Sequence, residues 1–521
     1  MDDKSPQVNK WLITISVMIP ALIEILDTSV ANVSLTHIQG SLSAGQEEVT
    51  WVLTSYLVAN AVVIPMSGWL ARLMGRKRYL IASVVLFTMS SLLCGTATGL
   101  EELIVFRVIQ GLGGGGLQPM SQSILLETFP PKERGLALGI FGVGFVVGPI
   151  LGPLLGGYLT DNYSWRWIFY INLPIGILAV FMCRSFVFDP PYQKRRQKGE
   201  KVDTVGLMLL CLGIGSLQIV LDKGQLEDWF NSQFILTLSC IAVVCLILLV
   251  IWELRHGSPI LDLSIFKDRS FASGNLIVFL GYFAFFGSIV LLPLYLQTLM
   301  GYTSFLAGLV LGPGAALAVG MLPLVGKLTE HFDSRKLLGF GLVVVAYSVY
   351  YMSEFNLYID FGTAVTGRLL QGIGAPFFFT ASAFVTMAYV SNQQMNNASA
   401  IFNLLRNLGG SFGVAFVSTA LARRAQFHQN RLIEHLNIYD PGFRFHLAEQ
   451  KAALAARLGT MSDHNDAAMQ MIYGSLKRQA SALAFNDAFF VQALIILGLV
   501  CFLFIIRKPP IAKRRPAAGQ K

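Results

Sequence analysis

GWLARLMGRKRYL at residues 68–80 and GKLTEHFDSRKLL at residues 326–338 are one pattern written twice, at an offset of 258. A second pair, RVIQGLGGG at 107–115 and RLLQGIGAP at 368–376, repeats at an offset of 261. In each copy the first pattern follows the second apolar segment, and the other lies early in the fourth. A six-segment unit has been duplicated, and the two apolar segments within 204–252 stand between the copies. Pseudo-symmetric halves around a cleft are the architecture of membrane proteins that work by alternating access.

Composition agrees. Of 521 residues, 54% are hydrophobic and 13% charged, where a soluble domain has about 25% charged. The mean hydropathy of +0.59 covers the whole chain and excludes a soluble enzyme. Fourteen apolar segments are long enough to span a bilayer, including 102–126 as the fourth and 135–159 as the fifth. All six cysteines lie in such segments, with no C-x-x-C pair and no His-rich metal spacing, so neither a disulfide framework nor a zinc site is expected. With both termini cytoplasmic, 26 of the 39 Lys and Arg fall in cytoplasmic loops and tails, and Lys223 alone in the short outer loops. The net charge of +9 is thus a topology signal, and its scatter over short loops argues against nucleic-acid binding. The expected organisation is an N-terminal six-helix bundle (1–183), a basic cytoplasmic linker (184–203), two additional helices (204–252) and a cytoplasmic connector (253–272). A C-terminal six-helix bundle (273–506) with a long outer segment (423–486) and a basic tail (507–521) complete it.

Glu24 and Asp27 are one helical turn apart in the first segment. Burial favours the neutral form of a carboxyl, so such groups exchange protons near neutrality or bind a cation. A structural hydrogen bond to a neighbouring helix is the plainer alternative. Arg107 needs a partner in the bilayer; counted from the outer ends of their segments, it and Asp27 sit at the same depth, about 8–9 Å at 1.5 Å per residue. Protonation of Asp27 would weaken that pair. Arg368 repeats Arg107, but the ninth segment has no acid to answer it. It joins Gln110, Gln371, Tyr282, Phe286 and Phe378 as a candidate lining of a substrate cavity. The fifth segment reads GFVVGPILGPLLGG, and Gly144, Gly148, Gly152 and Gly156, with Pro149 and Gly157, suit a close-packed seam that rocks between two states. Gly111, Gly113 and Gly116 satisfy G-x-G-x-x-G with no strand before them, so tight helix packing explains them, not a dinucleotide. No Walker A pattern occurs; no cofactor is expected, and protons or sodium serve as the coupling ion.

These motifs carry a resemblance. LDTSVANVSL (26–35), GWLARLMGRKR (68–78, with Gly68, Gly75 and Arg76), RVIQGLGGG (107–115) and GPILGPLLGG (148–157) resemble, in order, the motifs of fourteen-span drug:H+ antiporters of the major facilitator superfamily, EmrB/QacA type. The resemblance covers nearly the whole chain. It implies an all-α fold of two six-helix bundles plus two central helices, proton coupling through Asp27, Glu24 and Arg107, and a conformational role for the loop and fifth-segment glycines. One position departs: the loop motif usually has an acid fifth, where this chain has Arg72 and its second copy Glu330.

The expected function is proton-driven export of lipophilic or amphiphilic toxic compounds from the inner membrane. The resemblance implies a periplasmic membrane-fusion adaptor and an outer-membrane channel as partners. A dedicated exporter of one metabolite, such as a fatty acid or siderophore, and a non-transporting sensor on the same fold are the alternatives.

Overall fold

A segment in hydrocarbon has no water to take up its backbone N–H and C=O groups, so each apolar run closes its hydrogen bonds within itself as a helix. The computed structural model describes residues 9–189, 203–257, 259–434, 436–437, 439–458 and 465–507, and among them every regular element is helical. Thirteen helices are long and apolar enough to cross a membrane. The first half comprises α1 (Lys10–Val33), α2 (Trp51–Met74), α3 (Arg76–Thr96), α4 (Leu100–Gly114), α5 (Leu117–Thr128), α6 (Arg134–Asn162) and α7 (Asn172–Phe186). The pair α8 (Thr204–Lys223) and α9 (Gln233–Arg255) follows. The second half holds α10 (Arg269–Thr298), α11 (Ser304–His331), α12 (Ser334–Ser353), α13 (Phe361–Met387), α14 (Met395–Glu434), α15 (Pro441–Leu458) and α16 (Asn465–Phe502). Most of the basic linker (190–202) and the basic tail from 508 onward lie outside the described residues.

Two segments differ from the sequence reading. The fourth, read as one span over 102–126, is two helices, α4 and α5, with a turn at Gly115 and Gly116. Apolar character continues through the break, so hydropathy does not register it. Gly115 lets α2 come close, since an added Cβ would lie 2.6 Å from the Asn60 carbonyl oxygen, and Gly116 abuts Tyr79 of α3. Of the segment read as an outer loop, 423–434 and 465–486 continue two spanning helices. α14 has 40 residues and α16 has 38, about 60 Å and 57 Å of helix against a hydrocarbon core of about 30 Å. Arg424 Nε and His428 Nε2 both meet Asp487 Oδ2, at 2.6 and 2.7 Å, and clamp the two extensions together.

Within the first half α1 packs on α5, α6 and α7, and α4 sits between α2 and α3. The second half is organised around α13 and α14. The halves meet along α6–α11, α2–α14 and α5–α14, while α8 lies against α2 and α14. Two apolar clusters lie wholly within the first half. Val17, Ala21 and Ile23 of α1 belong to one, Val30 and Ala31 to the other. Asp27 falls between them, in a polar layer.

Candidate functional site

That layer is built around an enclosed ion pair. Arg107 Nη1 lies 2.6 Å from Asp27 Oδ2, with the two side chains 0% and 1% exposed. The other carboxylate oxygen, Oδ1, accepts from Gln110 Nε2 and Asn172 Nδ2, each at 2.8 Å. Gln110 also accepts from Arg107 Nη1 at 2.8 Å, and Arg107 Nε donates to the Val52 carbonyl at 3.0 Å. Asn172 is held in turn by Ser91 Oγ, at 3.0 Å. The guanidinium lies over the Tyr56 ring, 4.2 Å from its centroid. Side chains from α4 and α7 thus aim neutral donors and one cation at one carboxylate of α1. Removing its charge weakens the strongest of these bonds, the charge-assisted one to Arg107.

Glu24 faces a different way. Its Oε1 accepts from Asn60 Nδ2 at 3.1 Å and, at 3.5 Å, from Tyr56 O–H. Its Oε2 accepts from Gln118 Nε2, whose Oε1 accepts from Arg406 Nη2. Tyr56 therefore touches both carboxylate clusters, and Glu24 reaches the second half through one amide. Tyr56, Asn60, Asn172, Gln118 and Arg406 are not among the residues that the sequence marks as a site. For Arg406 there is a signal: a cation inside an apolar segment with no acid near it in sequence.

The second half repeats the geometry without the charge. Gln371 Nε2 donates to Ser288 Oγ at 2.7 Å, and Arg368 Nη1 donates to Gln371 Oε1. Ser288, Gln371 and Arg368 follow Asp27, Gln110 and Arg107 at the common offset of 261, so a serine stands where the first half has its acid. Of the candidate lining, Gln110 and Gln371 are enclosed in these two clusters. Tyr282, Phe286 and Phe378 form an aromatic group with Phe379, Tyr282 stacking on Phe286 at 5.8 Å and Phe286 being 37% exposed.

At the end bearing the basic loops the halves are closed. Arg134 Nη2 donates to Asn392 Oδ1 at 2.7 Å, Ser123 Oγ to Asn396 Oδ1 at 2.5 Å, and Asn403 Nδ2 to Gln122 Oε1 at 2.5 Å. Gly68 abuts the backbone of Asn396 and Asn397, and Gly75 has φ +90°, the turn from α2 into α3. Arg72, in the place of the usual acid, donates to the Pro259 carbonyl at 2.9 Å. Arg76 pairs with Glu127 at 2.5 Å, both side chains 5% exposed. Breaking such a pair on one side costs about 3–5 kcal/mol, whereas an apolar pair of similar volume is often neutral. Glu127→Gln is therefore expected to lower the melting temperature in detergent, and Arg76→Met with Glu127→Leu to recover most of the loss.

The fifth-segment glycines make a seam, but within one half. Gly148, Gly152 and Gly156 face Ile25, Ser29 and Val30 of α1, while an added Cβ at Gly144 or Gly157 meets nothing within 4 Å. Pro149 is exposed. The seam between halves uses Gly135, Gly139 and Gly142 of α6, against Leu322, Gly326 and Thr329 of α11. Thirteen residues from Gly135 to Gly148 turn the helix through about 220° beyond whole turns, and the two glycine sets meet different helices, α11 and α1.

Comparison with known proteins agrees with this architecture. The family model described as Major Facilitator Superfamily matches residues 17–414. The chain is 37% identical over 503 residues to the multidrug export protein EmrB of Escherichia coli (strain K12), covering 96% of this chain and 95% of that one. It is 36% identical over 500 residues to the fatty acid resistance protein FarB of Neisseria gonorrhoeae, covering 95% and 96%. Among solved structures, the proton:xylose symporter XylE superposes with a TM-score of 0.58 at 16% identity, covering 94% of this chain and 96% of that one. This chain is a multi-pass membrane transporter, not an enzyme, and it belongs to the Major Facilitator Superfamily, among the relatives of the EmrB multidrug export proteins.

Proposed function

We propose that the protein exports hydrophobic or amphiphilic toxic compounds across the bacterial inner membrane in exchange for protons, by alternating access, with both termini in the cytoplasm. The observation that carries this reading is the enclosed Asp27–Arg107 pair, 2.6 Å apart at a layer between two apolar clusters. While Asp27 is charged it fixes Arg107, α4 and α7 to α1. A proton taken up by Asp27 neutralises it, loosens Arg107 towards Gln110, and lets these helices rearrange. Tyr56 passes that change to Glu24, and Gln118 passes it on to Arg406 in the other half. The basic-loop bias supports the orientation. Relatives named for multidrug export and fatty acid resistance support the cargo class. The extensions of α14 and α16 would then stand on the periplasmic side, where they offer a surface to a membrane-fusion adaptor, with an outer-membrane channel completing a tripartite pump. The test is reconstitution in proteoliposomes with an imposed pH gradient. Flux of a lipophilic fluorescent compound is expected to follow the gradient and to stop when an ionophore collapses it; flux indifferent to the gradient would sink the coupling.

A further inference from the structure

Midway between the halves, three side chains form a line from α1 through α5 to α14. Glu24 accepts from the Gln118 amide nitrogen, and the Gln118 oxygen accepts from Arg406. The two charged residues are 6% and 8% exposed, and Gln118 between them is half-buried, so the amide is the most accessible member. A guanidinium carries five N–H donors, yet among the described residues Gln118 is the one hydrogen-bond partner of Arg406, and no carboxylate lies within ion-pair range. Arg406 is flanked instead by rings, 4.1 Å from the Phe145 centroid and 5.9 Å from that of Tyr282. A carboxyl and a guanidinium are thus held one amide apart, next to an aromatic wall.

The Gln118 amide offers a donor to the acid and an acceptor to the base. A ligand that replaces it must do the same. A cation alone satisfies Glu24 but leaves Arg406 bare and adds repulsion; an anion alone does the reverse. A head group bearing both charges answers both, while its apolar body lies along Phe145, Tyr282 and Phe286. We propose that Glu24 and Arg406 form a head-group site for zwitterionic aromatic amphiphiles, with Gln118 holding the place of the head group until cargo arrives. This rests on the exporter reading above and names a cargo class for it.

The test uses the full chain in lipid nanodiscs and three radiolabelled probes with one apolar body: biphenylalanine, the amine left when its carboxylate is removed, and the acid left when its amine is removed. The zwitterion is expected to bind about tenfold or more tighter than either relative, because each of those leaves one buried charge unanswered. Glu24→Gln should bring biphenylalanine down to the affinity of the acid, and Arg406→Gln down to that of the amine. Gln118→Ala, which removes the placeholder, should tighten it. Equal binding of the three probes to the unmodified protein overturns the site without reference to any variant. So does a zwitterion preference that survives in both charge variants. Binding as described without gradient-driven flux of biphenylalanine would support the site and defeat the exporter reading. Gradient-driven flux of the amine or the acid, with no preference for the zwitterion, would defeat the site and leave the reading standing.

Discussion

Asp27→Asn is expected to abolish the response of transport to a pH gradient while leaving cargo binding within a few fold of the unmodified protein. Asparagine keeps the size of the side chain and one oxygen for Gln110 and Asn172, and it loses the charge that faces Arg107 at 2.6 Å. It fixes the site in the form that a proton would produce, so no proton cycle remains. The competing reading is that the pair is structural. Both readings expect the single variant to suffer, because an uncompensated buried guanidinium costs about 3–5 kcal/mol. The double variant, Asp27→Asn with Arg107→Gln, separates them, since it removes both charges. A structural pair predicts recovery of both melting temperature and gradient-driven flux. A coupling pair predicts recovery of melting temperature alone. Flux restored in the double variant would show that Asp27 carries no proton for transport.

The legible part of this site is the charged part. A carboxylate or guanidinium in an apolar run is costly enough to need a partner, and helical rise converts sequence position into depth, so Asp27 and Arg107 are matched by their places along the chain alone. Uncharged polar residues send no such signal. Asn172 and Gln118 look like ordinary members of their segments, and Gln118 meets Arg406 across 288 residues only because two bundles pack at that point. Tyr56 reads as one aromatic among many, although its ring and its hydroxyl serve both carboxylates. The duplicated motif carries a further match: the offset that relates Arg107 to Arg368 also relates Asp27 to Ser288. Applying that offset to the first segment finds the partner of Gln371. The fold shows the same division. Hydropathy finds the spans because each is set by bilayer thickness. It cannot find the break at Gly115 and Gly116, which is decided by how closely α2 and α3 approach, nor which face of α6 meets which neighbour.

Gly326→Val is expected to favour the state in which the basic end is open. At present α6 and α11 touch backbone to backbone there: an added Cβ at Gly326 would lie 2.6 Å from the Gly135 carbonyl oxygen and 2.7 Å from Leu136 Cα. Neither atom is the end of a flexible side chain, so the closed arrangement cannot absorb the extra carbon by a rotamer change. Overpacking of this kind costs about 1–3 kcal/mol, which shifts a two-state ratio by about 5- to 150-fold. The cost falls on the closed state because the contact joins the two halves; a seam that opens relieves it. Spin labels on cysteines at Lys132 and Lys327, both exposed at the ends of these helices, report the change in a background without the six native cysteines. The distance distribution should move to longer values, and transport should slow because each cycle must return through the disfavoured closure. Gly308→Val is the control on the same helix: a Cβ there meets nothing within 4 Å, so distances and flux should stay as they are. If Gly326→Val leaves the distances unchanged, the α6–α11 contact is packing and not a gate. If Gly308→Val shifts them as strongly, bulk anywhere on α11 suffices and the backbone contact has no special part in closure.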